Sequence, residues 1–178
     1  MIENLVLDNT VLSHFARADE LDNLERLCDG YRVLVPTEVQ TELVRGASAH
    51  PSLSAIFSLA WIKVIELTEI TEVIAFAKFY EALGATATRH RGEAAVLAYV
   101  EANGGVGLID ERAARTLGDD SGLQVRGTLW LIVEGVKSGR LDRKEAEDLV
   151  TALAATDMWL PMEPSGFFAW AYSTGLLP

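Results

Sequence analysis

The chain has 178 residues, of which 49% are hydrophobic. This excludes a disordered chain and fits one domain that buries roughly 70% of its unfolded surface. The formal net charge of −11 argues against a protein that holds nucleic acid by releasing counterions at a basic surface. It suits a protein that gathers carboxylates around a divalent cation or binds a basic partner.

Five short apolar runs predict buried β-strands in chain order: LVLD (5–8), RVLVP (32–36), WIKVIEL (61–67), GVGLID (105–110) and a brief LQVRG (123–127). Helical patterns lie between and after them, at 18–30, 36–46, 68–84, 91–104, 111–118, 127–139 and 142–155. Strands that alternate with helices predict an α/β sandwich with a mostly parallel central sheet. Since no linker or repeat interrupts the pattern, we predict one domain over residues 1–178, with 141–178 as a helical extension packed on it.

The chain shows no membrane or export signal. Its most apolar stretch, 53–67, is broken by Lys63 and Glu66, whereas a spanning helix needs about 20 nearly uninterrupted apolar residues. The N-terminus MIENLVLDN lacks a basic start and a long apolar segment. A single cysteine excludes an internal disulfide, and three histidines with it exclude a zinc-finger-like cluster. We expect a cytoplasmic protein without a membrane segment.

Two of the predicted strands end in an acid, Asp8 and Asp110. In parallel α/β sheets the functional crevice lies beyond the carboxyl ends of the strands, where the strand order reverses. Each acid has a second interpretation, as the cap of the helix that follows it. Glu111, directly after Asp110, favours a helix N-terminus by its charge.

Two further acids lie on predicted helices. Glu42 follows the second strand by six residues and shares a helix face with Glu38, which is interpreted as a solvated acid. Glu93 lies in the first turn of RGEAAVLAYV, a helix with almost no polar face, as either a ligand or a partner of the helix dipole. Several carboxylates in one crevice require a divalent cation, and oxygen ligands without nearby His or Cys suit Mg²⁺ or Mn²⁺. The chemistry that this supports is metal-assisted phosphodiester hydrolysis.

A set of short motifs resembles the PIN-domain family, and within it the VapC-like proteins of prokaryotic toxin–antitoxin systems. The motifs are DNT at 8–10, EL at 42–43, GEAAVLA at 92–98, LIDERAARTL at 108–117 and GT at 127–128. Each is weak alone, but their order and spacing over residues 3–140 make the set moderately specific. The resemblance implies a three-layer α/β/α fold and a Mg²⁺- or Mn²⁺-dependent ribonuclease that acts on RNA and pairs with a small antitoxin protein.

Carried over residue by residue, the resemblance assigns the four family acids to Asp8, Glu42, Glu93 and Asp110 as catalytic metal ligands. Glu111 is an alternative fourth ligand, because the Asp-Glu pair leaves the register open. Thr10 matches a hydroxyl residue that orients the first acid or binds a water. Candidate phosphate contacts, each with a solvated helix end as the other interpretation, are Arg89, Arg91, Arg112 and Arg115.

Other interpretations stay open or are excluded on particular residues. A catalytically inactive PIN-like module that binds RNA or protein has the same sequence signature. A haloacid-dehalogenase phosphatase is excluded, because its nucleophile position falls on Val6, which forms no aspartyl-phosphate. A generic anion-binding domain lacks its Gly-rich loop after the first strand. The aromatic tail beyond residue 156 is either a final packed helix or a surface for a homodimer or an antitoxin.

Overall fold

A computed structural model describes residues 2–178, and its centre is one five-stranded parallel sheet. The strands are β1 (Glu3–Leu7), β2 (Tyr31–Pro36), β3 (Ile62–Ile65), β4 (Val106–Leu108) and β5 (Val125–Arg126). Their order across the sheet is β3-β2-β1-β4-β5, and all four neighbouring pairs are parallel. The predicted α/β fold with a mostly parallel sheet is therefore confirmed.

Nine α-helices connect and follow the strands. They are α1 (Asn9–Arg17), α2 (Leu21–Cys28), α3 (Thr37–Gly46), α4 (Ile70–Ala82), α5 (Arg91–Asn103), α6 (Arg112–Asp120), α7 (Thr128–Lys137), α8 (Arg143–Ala154) and α9 (Phe167–Ser173), as counted over residues 2–178. Short 3₁₀ helices occupy Pro51–Ser58 and Pro164–Gly166. None of the helices in this part of the chain is at once long and apolar enough to cross a membrane.

The core lies on both faces of the sheet. Leu5, Val6 and Leu7 of β1 are fully buried, although successive strand residues point to opposite faces. Helices must therefore cover the sheet on each side, which gives the three layers of an α/β/α fold. Helix α5 is buried from Ala94 to Ala98, and this explains why its sequence has almost no polar face.

The C-terminal region packs on this body through one side of α9. Phe167 and Ala171 are fully buried, and the guanidinium of Arg143 on α8 lies 4.2 Å from the ring centre of Phe168. Trp159 and Tyr172 are 75% and 52% exposed. The tail therefore packs as a final helix and also leaves aromatic side chains at the surface. The boundary at residue 141 stays a prediction.

The strand order places two strand ends side by side. The chain moves from β1 outward to β2 and β3, and later returns to place β4 on the other side of β1. The backbone N–H of Asp8 donates to the carbonyl oxygen of Leu108 at 3.0 Å, which joins the carboxyl ends of β1 and β4. This is the reversal point where ligands bind in open parallel sheets.

Candidate metal centre

Asp8 is both a helix cap and a member of an acidic cluster. Its Oδ2 accepts a 3.2 Å hydrogen bond from the backbone N–H of Thr10 at the start of α1. Its Oδ1 is buried and has no hydrogen-bond partner among residues 2–178. Burial, and then the charges of Glu93 and Glu42, raise the pKa of Asp8 well above its ordinary value. The cap therefore accounts for only one of the two carboxylate oxygens.

Helices α3 and α5 bring Glu42 and Glu93 to the same place. One carboxylate oxygen from each of Asp8, Glu42 and Glu93 lies within 4.8 Å of the other two. We call these three residues the acid triad. Burial, followed by the charge of Glu93, raises the pKa of Glu42 against the lowering effect of the N–H of Gly92. The sequence therefore predicted three residues that the fold does place together.

Gly92 lets α5 approach the other two acids. Its N–H donates to Oε1 of Glu42 at 2.9 Å. A Cβ at this position would lie 2.7 Å from Oε2 of Glu42 and 3.2 Å from Oδ1 of Asp8. The absence of a side chain therefore keeps space open between the helix and two of the carboxylates.

The acid triad has the donor set of a hard divalent cation. Oxygens on opposite sides of a cation bound at 2.0–2.6 Å are about 4–5 Å apart, which matches the spacing of the triad. The unpartnered Oδ1 of Asp8 is a free ligand atom that lies, with Oε2 of Glu42, beside Gly92. One nearby basic group is the imidazole of His90, whose Nδ1 is 3.4 Å from Oε1 of Glu93. Three carboxylates are thus positioned where a metal ion would balance their charge.

Asp110 is placed differently from the triad. It follows β4 and is not one of the three acids whose ligand atoms share the 4.8 Å spacing. Its Oδ1 accepts from the N–H of Thr128 at 2.8 Å and its Oδ2 from the Thr128 hydroxyl at 2.7 Å. A Cβ on Gly127 would lie 3.0 Å from Oδ1 of Asp110. Asp110 is therefore held at the N-terminus of α7, and its role as a metal ligand stays a prediction.

Glu111 is the N-cap of helix α6. Its Oε2 accepts a 2.7 Å hydrogen bond from the N–H of Ala114, which caps α6. This contact gives Glu111 the role of a helix cap, and the choice of Asp110 or Glu111 as the fourth acid stays a prediction. Thr10 contacts Asp8 through its backbone N–H, which orients the carboxylate without using the hydroxyl.

The candidate arginines divide into two groups. Arg115 donates to the carbonyl oxygens of Ile109 and Asp110, and Arg91 lies 3.7 Å from Glu38 and over the ring of Phe76. These contacts give both side chains structural roles, and Glu38 is paired instead of freely solvated. Arg89 and Arg112 are exposed. Arg89 lines, with Arg45, a cavity of about 380 Å³ that also reaches Glu42 and Glu93.

Two residues of the GE and GT motifs, Gly92 and Thr128, have roles that only the structure reveals. Gly92 provides the close approach to Glu42, and Thr128 holds Asp110 with two hydrogen bonds. The sequence contains a signal for each of these roles. For Gly92 it is a glycine directly before an acid in a buried helix, and for Thr128 it is a Gly-Thr pair at a helix start after a strand. His14, which lines a second cavity beside Asp110, carried no signal at all.

The fold and the acid triad define a class of α/β proteins with an acidic cluster at the carboxyl edge of a parallel sheet. The model of the PIN-domain family DUF3368 matches residues 4–164 of this chain. The chain therefore belongs to the PIN-domain family, as the motifs predicted.

One solved structure shows the same fold. It is a chain from the crystal structure of VapBC2 from Rickettsia felis bound to a DNA fragment from their promoter. The TM-score is 0.52 at 15% sequence identity, and the match covers 71% of this chain and 98% of that chain. No curated protein sequence matches this chain significantly.

Proposed function

We propose that this protein is a divalent-metal-dependent endoribonuclease and the toxin of a toxin–antitoxin pair. The observation that carries the proposal is the buried Oδ1 of Asp8, which has no partner within residues 2–178 and belongs to a residue that clusters with Glu42 and Glu93. A cluster of this kind is unfavourable unless a cation neutralises it. Membership of the PIN-domain family supports the same chemistry.

Asp8, Glu42 and Glu93 are the residues that would hold Mg²⁺ or Mn²⁺, with Asp110 as a further ligand at the adjacent strand end. A divalent cation bound there supplies Lewis-acid stabilisation of charge on a phosphate and a water of lowered pKa. The chain's own contribution is orientation. Thr10 fixes the carboxylate of Asp8, and Thr128 fixes that of Asp110, so that both acids stay in place when the substrate binds.

The toxin role rests on the VapC-like motifs and on the fold shared with a chain of a VapBC2 structure. A net charge of −11 favours a small basic antitoxin as the partner, because opposite charges steer association and stabilise the complex. In this proposal the antitoxin covers the carboxyl edge of the sheet and blocks access of RNA to the acid triad.

Cleavage of a mixed RNA pool by the purified full chain tests the enzymatic proposal. We expect cleavage with Mn²⁺ or Mg²⁺, none in EDTA, and none by the Asp8→Asn variant. The matched control is Asp148→Asn, which changes an exposed acid paired with Lys144 on α8 and should cleave like the wild type. Products with a 5′-phosphate and a 3′-hydroxyl are expected. Folded protein that is free of inhibitor and cleaves nothing with any metal would favour the inactive binding module instead.

A further inference from the structure

A second cavity, of about 440 Å³, opens beside the acid triad and is rich in tryptophan. Three of the four tryptophans of the chain line it, namely Trp130, Trp159 and Trp170. We call it the tryptophan cavity. Thr10 and Asp110 form part of its lining, so that it begins at the same two strand ends that carry the candidate metal centre. The cavity therefore adjoins the candidate metal centre at the strand ends.

The three tryptophans that line the cavity differ in how far they are exposed to solvent. Trp130 and Trp170 are partly buried and pack against the core, whereas Trp159 is 75% exposed at the rim. An indole held by the core gives a rigid wall, and an exposed indole offers a flat apolar face to a ligand. Unpaired bases stack on such faces, and this stacking tolerates any sequence.

His14 gives the cavity a polar group of defined character. The Thr156 hydroxyl donates to the carbonyl oxygen of Leu153 at 2.6 Å, and its single hydrogen is used there. In the 2.6 Å contact between His14 Nδ1 and the Thr156 oxygen, the imidazole must therefore be the donor. Burial lowers the pKa of His14 and so favours the neutral ring. In the neutral ring with a proton on Nδ1, Nε2 is the hydrogen-bond acceptor. An acceptor beside aromatic walls is suited to the N–H edge of a base.

Because the chain is acidic, its affinity for RNA should depend more on aromatic contacts with the bases. A net charge of −11 leaves little affinity to be gained from counterion release. Arg45 and Arg89 line the separate cavity that reaches Glu42 and Glu93. The tryptophan cavity has its own charged groups, namely Asp110, Glu111, Arg115 and Asp157. A single strand that spans both cavities therefore has arginines for its phosphates in the first and tryptophans for its bases in the second.

From this arrangement we infer that the tryptophan cavity binds an unpaired nucleobase next to the scissile phosphate, with Trp159 as the stacking surface and His14 as an acceptor. The inference rests on the proposed ribonuclease function and adds a base-binding subsite to it. Bases within a duplex are already stacked and paired, so they cannot enter the cavity.

The test compares Trp159→Ala and Trp159→Phe with the wild-type full chain. The matched control is Tyr172→Ala, which removes an exposed aromatic of α9 that does not line the cavity. Binding of a labelled single-stranded oligoribonucleotide is measured by fluorescence anisotropy in EDTA at low salt, and cleavage kinetics are measured with Mn²⁺. We expect Trp159→Ala to raise Kd and KM about tenfold with little change in kcat. Trp159→Phe should restore most of the affinity, Tyr172→Ala should match the wild type, and the duplex form should bind weakly.

Failure of this inference is separable from failure of the proposed function. If Trp159→Ala leaves Kd and KM unchanged while Asp8→Asn abolishes cleavage, the ribonuclease stands and the base subsite is overturned, with a partner peptide as the next occupant to test. If Trp159→Ala weakens RNA binding in a protein that cleaves no RNA, the subsite stands and the nuclease proposal falls. Duplex RNA that binds as well as the single strand would also overturn the subsite.

Discussion

The backbone N–H of Gly92 donates a 2.9 Å hydrogen bond to Oε1 of Glu42, and this contact joins α5 to α3 at the acid triad. The same glycine leaves room for Oε2 of Glu42 and Oδ1 of Asp8, which a Cβ would approach to 2.7 and 3.2 Å. One residue without a side chain therefore both orients one acid and keeps the space between two acids open.

Gly92→Ala is expected to weaken cation binding without unfolding the protein. The new Cβ displaces the carboxylate of Glu42, which can move because it is the end of a flexible side chain. Alanine also favours the helix by about 1 kcal/mol relative to glycine. We expect the affinity for Mn²⁺ in calorimetric titration to fall at least about tenfold, a loss of about 1.4 kcal/mol of binding free energy. The melting temperature in EDTA should change little.

The matched control for this substitution is Gly46→Ala at the end of α3. A Cβ there would make only an ordinary contact, 3.7 Å from Leu53 Cδ1, so Mn²⁺ affinity should equal that of the wild type. Equal affinity of Gly92→Ala and Gly46→Ala would show that close approach at position 92 does not matter for the metal.

The pKa values of Asp8 and Glu42 predict a particular pH dependence of stability. Both are raised by burial from ordinary values of 3.8 and 4.5. An acid with a raised native pKa binds more protons in the native than in the unfolded state. The free energy of unfolding therefore falls as pH rises from the ordinary pKa to the native one. In EDTA, Asp8→Asn should become increasingly more stable than the wild type over this interval, as measured by urea denaturation.

With added Mn²⁺, the wild type should instead be more stable than Asp8→Asn. The ion stabilises the wild-type native state that binds it and adds little stability to the variant. A stability difference between the two proteins that does not vary with pH in EDTA would mean that Asp8 is not a repelled, buried carboxylate.

Substitutions of Asp110 and Glu111 are expected to have different effects on stability and cleavage. Glu111→Ala removes the cap of α6, so the free energy of unfolding should fall by about 1 kcal/mol with cleavage largely retained. Asp110→Asn keeps a side chain that can still bond to Thr128, so it should remain folded but lose at least about tenfold in activity, roughly 1.4 kcal/mol of transition-state stabilisation. Thermal melting and RNA cleavage, measured together, decide the assignment. The opposite pattern would make Glu111 the fourth ligand.

Thr128→Val tests whether the orientation of Asp110 matters. Valine removes the hydroxyl that donates to Oδ2 and keeps the backbone N–H that donates to Oδ1. Because hydrogen bonds to charged groups are worth about 1.5–3 kcal/mol, both stability and cleavage rate should decrease. Thr128→Ser should recover both. Recovery of stability without recovery of cleavage by Thr128→Ser would show that the hydroxyl group alone does not support the reaction and that the threonine methyl group is also needed.

Cys28 is expected to be inert in the native protein. It is buried, and burial raises the pKa of its thiol to about 12. Since the thiolate is the reactive form, alkylation by iodoacetamide at pH 8 should be negligible in the folded chain and complete in concentrated urea. Rapid labelling without denaturant would mean that α2 opens locally.

Much of the fold follows from local sequence patterns. The apolar runs of β1 and β2 are buried on both faces. Asp8 directly follows β1 and Asp110 lies two residues beyond β4, at the carboxyl edge of the sheet where the crevice of such folds lies. Periodicity and helix-stop signals located most helices to within a few residues. The short helix α1 and the 3₁₀ helix at 51–58 are not delimited by the sequence pattern, since the first begins directly after Asp8 and the second has apolar residues without a clear period.

The candidate site depends on contacts that no local pattern contains. The sequence by itself determined that Asp8 ends a strand, that Glu42 lies on the helix after the second strand and that Glu93 begins a buried helix, and its motifs predicted the family. Tertiary structure alone decided that these three converge within 4.8 Å, whereas Asp110 is held by Thr128 and Glu111 caps α6. It also assembled the tryptophan cavity from residues as distant in sequence as Thr10 and Trp170. The physical reason is that burial, charge repulsion and hydrogen-bond partners are set by neighbours in space, which the packing of α3, α5 and the C-terminal region brings together.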